Sequence, residues 1–342
     1  MYKLNNIIGH QEVIRTLRNS LQRNRVAHAY LFMGPPGVGK QTVAQAYAGA
    51  LLCDQPSEGD ACGCCRSCRQ IEGGNHPDLH RLEPTGTTIK IEQVREMQSQ
   101  VQYKPYQAGR QVFVVERAEA MTQEAANCFL KTLEEPAGQT VFILLSDQPY
   151  ALLPTILSRC QQFQFRPLSN REVAAGLVSL CAMNKEDATK LAPLAGGSLG
   201  RAVRLAKGDD QWPLRAKALE LAQWLPQMNK IRALELAEQL SGDRNEAAEY
   251  LEIMLLWFRD LLVYQYTGKK EILINQDKPE KIVEQSNRYD PSVLTEILEE
   301  IKLARERILA NANTRMTLEV LMLKIHSHGG NWNGSKSSWG SL

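Results

Sequence analysis

YLFMGPPGVGKQT, residues Tyr30 to Thr42, joins a short apolar run to a glycine-rich turn and then to a segment with apolar side chains at Val43, Tyr47 and Leu51. The pattern is strand, loop, helix. Such a loop turns backbone N–H groups inward at a helix N-terminus, where the helix dipole adds positive potential, and so cradles phosphates. Gly34, Gly37, Gly39 and Lys40 carry the phosphate-loop spacing, and Lys40 is placed to reach β and γ phosphate oxygens. The next position, where a Ser or Thr hydroxyl holds Mg²⁺, is Gln41, and Thr42 comes one residue late. Nucleotide binding and nucleotide hydrolysis are therefore separate questions for this chain.

Outward from the loop, the spacing predicts further buried strands at Leu79–Leu82, Gln111–Val115, Thr140–Leu145 and Gln162–Phe165. Helices are expected within residues 6–28 after a break at Gly9, with Val13, Leu17 and Leu21 at four-residue spacing, over Ile91–Val101 and after the N-cap Thr122 up to Pro136. The third strand ends in Glu116-Arg117. A nucleotide hydrolase usually sets two acids at this point, one on the metal and one polarising the attacking water. Glu116 remains able to touch a metal, but Arg117 stays protonated and cannot serve as a base. Glu119 is expected at the surface or as a cap. Ser146 and Asp147 close the fourth strand, where side chains of nucleotide-binding sheets face the γ-phosphate; a generic loop would look the same.

Five of the eight cysteines lie between residues 53 and 68. Cys53, Cys62, Cys65 and Cys68 form C-x8-C-x2-C-x2-C, a spacing that lets four thiolates close on one tetrahedral Zn²⁺. Cys64 is a spare thiol that leaves the ligand choice less certain than the site, and a redox CxxC is the alternative reading. His76 and His80 are not needed as ligands and read as surface histidines beside the second strand.

The composition, 43% apolar and 23% charged with a net charge of +2, is that of an ordinary soluble protein with no overall basic field. Any contact with DNA has to be local or shared with partners. No run reaches membrane-spanning length, and MYKLNNIIGHQEVIRTL lacks an apolar signal core, so a cytoplasmic protein is expected. From Pro167 only helical periodicity remains, first in a small unit containing GGSLGRAVRLA, in which Arg201 opens a helix. Longer helices follow, with apolar stripes at Leu251, Met254, Leu255, Phe258, Leu261 and Leu262 and at Val293, Ile297, Ile301, Ala304 and Ile308. GGNWNGSKSSWGSL, residues 329–342, reads as a disordered tail despite Trp332 and Trp339.

HAYLFMGPPGVGK, the four-cysteine insert, NCFLKTLEEP, PTILSRC, GGSLGRA and NANTRMTLEVLMLKI occur in an order and spacing that resemble the bacterial clamp-loader AAA+ subunits of DNA polymerase III. The resemblance implies an α/β P-loop domain over residues 1–166, with a five-stranded parallel sheet and a zinc insert. It also implies a small helical lid over 167–208 and an all-α collar over 209–328 that holds a subunit ring together. Gln41 and Arg117 separate this chain from the gamma/tau motor members and point to a non-motor member. The alternative is a gamma/tau-like ATPase working at its own loop. In the non-motor case the resemblance implies that ATP or ADP, if held, is not hydrolysed, with Glu116, Ser146 and Arg201 completing the nucleotide contacts. Arg159 of the SRC motif would then act in a neighbour's ATPase site. Implied partners are the gamma/tau and delta subunits, the sliding clamp and, through the assembly, primed DNA.

Overall fold

The computed structural model describes residues 3–135, 138–207, 211–225, 228–310 and 312–329. The tail tryptophans Trp332 and Trp339 lie outside them, as does Pro136. Two compact units divide the chain, Met1–Val203 and Arg204–Leu342.

The first unit begins with helix α1 (Gln11–Gln22), strand β1 (Ala29–Met33), α2 (Lys40–Leu51) and α3 (Arg66–Glu72). It continues through β2 (Leu79–Leu82), α4 (Ile91–Val101), β3 (Gln111–Val115), α5 (Gln123–Glu134), β4 (Thr140–Ser146), α6 (Pro154–Leu157) and β5 (Gln161–Gln164). All pairings are parallel, in the order β2-β3-β4-β1-β5. This is the five-stranded sheet implied by the AAA+ resemblance, and every predicted strand is present to within a residue at each end.

Side chains alternate across the strands, and both faces are covered, which is why the strands read as nearly continuous apolar runs. Tyr30, Phe32, Val112, Val114, Ile143 and Phe163 share a core with Val43, Tyr47 and Leu17 on one face. Leu31, Phe113, Val115, Phe142 and Leu144 share the other with Val94, Met97, Phe129 and Leu133. Thr122 caps α5 as expected, its side chain accepting from the Ala125 N–H.

After the sheet come α7 (Asn170–Cys181), α8 (Lys185–Leu191) and α9 (Leu199–Lys207). Ser169 and Glu172 form a reciprocal capping box that starts α7. The Gly200 N–H donates to the Gly37 carbonyl at 3.0 Å, which brings the start of α9 onto the glycine loop.

The second unit is helical: α10 (Gln211–Trp224), α11 (Lys230–Leu240), α12 (Arg244–Thr267), α13 (Pro279–Ser286), α14 (Pro291–Leu309) and α15 (Thr314–Gly329). Leu251, Met254, Phe258 and Leu261 are buried as the stripe predicts, whereas Leu255 and Leu262 are only partly covered. The periodicity overlooks Trp257, which is fully buried and donates its indole N–H to Gln285 Oε1 at 2.8 Å. No described helix is long and apolar enough to cross a membrane.

Candidate functional site

The parallel register sets Met33 of β1 beside Ser146 of β4 and Gln164 of β5, so the glycine loop leaves the sheet where β4 and β5 also end. This is the carboxyl edge of the sheet at a change of strand order, the usual ligand crevice of open α/β folds. The Gly34 N–H donates to the Ser146 carbonyl at 3.2 Å. Gly34 has φ +152°, and a Cβ there would stand 2.3 Å from the Phe165 carbonyl oxygen, so only glycine lets the loop pass β5 this closely. His10, at the entry to α1, supports the loop from outside: its Nε2 lies 2.9 Å from the Val38 carbonyl and its ring packs on Phe165.

Lys40 is 7% exposed and opens α2 behind Gly39. Its ammonium donates to the Gly34 carbonyl at 2.5 Å, the Pro35 carbonyl at 2.7 Å and Asp147 Oδ1 at 2.5 Å. Gln41 donates its side-chain amide to Glu116 Oε1 at 2.7 Å, so the two residues expected nearest a metal are bonded to each other. Burial raises the Glu116 carboxyl above its ordinary value, and the Gln41 bond opposes this in part. Thr42 is partly exposed on α2. Ser146 is buried, with Oγ accepting from the Gln148 N–H at 3.2 Å. Arg201 is buried in the first turn of α9, and its backbone N–H donates to Ser198 Oγ.

Glu119 does not have the surface or capping role expected of it. Its Oε1 accepts from the Asp147 N–H at 3.3 Å, and its Oε2 is buried without a hydrogen-bond partner among the described residues. It braces the turn that carries Asp147.

The sulfur atoms of Cys53, Cys62, Cys65 and Cys68 all lie within 4.8 Å of one another. Separations of 3.9 Å for Cys53 and Cys65, 3.9 Å for Cys62 and Cys68, and 3.7 Å for Cys53 and Cys68 match the ~3.8 Å edge of a tetrahedron with ~2.3 Å metal–sulfur bonds. Backbone N–H groups of Cys62, Gly63, Cys65 and Cys68 point at the four sulfurs. The Cys62 thiol is lowered to about 6, chiefly by the Cys64 and Cys65 N–H groups, while burial pushes Cys53 and Cys68 up. The four sulfurs could act as thiolates only with a cation to offset their charge, and the donor set fits one metal with no open position. Cys64 is exposed, with its sulfur 3.7 Å from that of Cys62, and is not one of the four mutually close sulfurs.

His76 is buried, contrary to the surface position expected for it, and its Nδ1 accepts from the Asp78 N–H at 3.1 Å. His80 lies within β2, stacked on Phe113. No sequence pattern marks the role of Asp78, which is 1% exposed and accepts the N–H groups of Tyr106, Gln107 and Ala108.

Arg159 follows α6 and is 34% exposed. One guanidinium nitrogen donates to Glu134 Oε1 at 2.6 Å and the other to the Thr155 carbonyl at 3.0 Å. Glu134 ends α5 inside the LEEP motif, a partner 25 residues away that helical periodicity does not reveal.

Residues 9–169 match the protein family described as "DNA polymerase III, delta subunit", and residues 209–327 match "DNA polymerase III, delta subunit, C terminal". The chain is 37% identical over 314 residues to the DNA polymerase III subunit delta' of Pseudomonas aeruginosa, covering 88% of this chain and 92% of that protein. It is 32% identical over 318 residues to the delta' subunit of Bacillus subtilis, covering 92% and 95%. It is also 33% identical over 262 residues to the tau subunit of Escherichia coli, covering 71% of this chain and 40% of that one.

Proposed function

This chain belongs to the delta-prime subunit family of the DNA polymerase III clamp loader, and from that premise we propose that it is a non-motor ring member that supplies Arg159 to a neighbouring subunit's ATPase site. Residues 1–166 serve as the P-loop domain, 167–208 as its lid and 209–328 as the collar that binds the other subunits. The gamma/tau and delta subunits are its direct partners. The sliding clamp and primed DNA are partners through the assembly, in the cytoplasm.

The observation that carries this reading is the contrast between two cations. Both are bonded within the chain, but Lys40 is buried among three acceptors, whereas the Arg159 side chain, paired with the exposed Glu134, is 34% exposed at the surface. A guanidinium entering the next subunit's site neutralises charge on the transferring γ-phosphoryl group and leaves the chemistry to that subunit's metal and water. The chain's own loop lacks the hydroxyl after Lys40 and the base after Glu116, so turnover there is not part of the reading. The cysteine cluster holds a structural Zn²⁺, a role that suits four sulfur donors with no vacant position.

Replacing Arg159 by Ala is expected to leave folding and ring assembly intact and to lower the DNA-stimulated ATPase of the reconstituted loader. The relation to tau favours one rival, an ATPase working at its own loop. Phosphate release by the purified chain with DNA and Mg²⁺, abolished by Lys40→Ala, would establish that rival instead.

A further inference from the structure

We infer that Asp147 is the residue that decides whether this phosphate loop takes a nucleotide: its carboxylate fills, for Lys40, the place of the phosphate. The geometry is specific. An ammonium has three protons to donate, and those of Lys40 meet three acceptors, the Gly34 carbonyl, the Pro35 carbonyl and Asp147 Oδ1. Only the last of these is charged, so the buried cation draws its neutralisation from a side chain 107 residues away.

The carboxylate is held there by the fold. The β1–β4 register puts Ser146 level with Met33, and the Gly34 N–H is bonded to the Ser146 carbonyl, so the residue after β4 falls beside the start of the loop. Glu119 fixes the same turn through the Asp147 N–H. A phosphoryl group entering the loop has to take Lys40 from Asp147. It would also leave two carboxylates, Asp147 and Glu119, near its own negative charge. Both effects oppose binding, whatever residue follows Lys40. With Asn at position 147 the turn keeps a polar side chain of the same shape, but the buried ammonium loses its counter-charge and gains most from a phosphate.

This goes beyond the reading that the loop does not turn nucleotide over, and it is tested apart from Arg159, because the isolated full chain is assayed for binding and the Arg159 claim needs the assembled loader. The probe is a fluorescent ATP analogue with Mg²⁺, followed by anisotropy. Asp147→Asn is expected to bind it at least about tenfold more tightly than the wild type, and the double variant Asp147→Asn, Lys40→Ala to lose that gain. Thermal melts supply a second readout: ATP should raise the melting temperature of Asp147→Asn and leave the wild type unmoved. Equal affinity of wild type and Asp147→Asn overturns the inference, as does a gain that survives loss of Lys40. Wild-type binding tighter than about 10 μM overturns it without reference to any variant, including the case in which Asp147→Asn fails to fold.

Discussion

A phosphate loop is commonly judged by its lysine and by the hydroxyl that follows, but at the scale of single residues what matters is which groups those side chains already hold. Here Gln41 holds Glu116 and Lys40 holds Asp147. Restoring the missing hydroxyl should therefore be insufficient. Gln41→Thr alone is expected to leave phosphate release by the purified chain at background, and release above background in that variant would show that the metal ligand was the only defect. The other ion pair of functional interest is weaker. Glu134 is 49% exposed and Arg159 34%, so solvent screens their attraction, and Glu134→Ala should change stability by no more than ~1 kcal/mol in a denaturant titration. A larger loss would make the pair structural rather than a holder for the arginine.

At the scale of elements, two devices secure the edges of the first unit. The four-cysteine segment is tied to the N-terminal segment through Asp60, which is 3% exposed and accepts the N–H groups of Leu4, Asn5 and Ala61. Metal analysis is expected to find one Zn²⁺ per chain, lost when Cys62 and Cys65 are both replaced by Ser. The variant should lose roughly 3 kcal/mol or more, a fall in melting temperature of about 6–12 °C. Retention of the metal by that double variant would refute the ligand assignment. The second device is Asp78. Burial raises its carboxyl, but the three N–H bonds from Ala108, Tyr106 and Gln107 outweigh this and hold it below the ordinary aspartate value. A lowered folded value means stability that is present in full above the ordinary aspartate range and lost as pH falls through the lowered one. Asp78→Asn should cost ~2 kcal/mol at neutral pH, with the difference from wild type shrinking below about pH 4 in urea titrations. A difference independent of pH would mean that charge is not what holds residues 106–108.

At the scale of the whole molecule, what the sequence shows and what it hides divide along a physical line. The short apolar strand runs, the cap at Thr122 and the thiol spacing are local signals, and the strands, helix α5 and the four-cysteine cluster lie where those signals put them. The Lys40 partner is not legible, because it depends on the β1–β4 register and not on any neighbour in the chain. Trp257 escapes for a related reason: α12 is covered on more than one side, so a single stripe understates its core. The burial of His76 is hidden because a lone polar residue gives no sign that its ring nitrogen will accept a backbone N–H.

The central claim, that the catalytic contribution of this chain is made in another subunit's site, belongs to the assembly and is tested most directly there. The measurement is the DNA-stimulated ATPase rate of the reconstituted loader carrying Arg159→Ala, with ring assembly confirmed by size-exclusion chromatography. The predicted result is an intact ring in which the site facing Arg159 turns over about tenfold more slowly or worse, as expected for a lost arginine finger. An intact ring hydrolysing ATP and loading clamps at the wild-type rate would contradict the account.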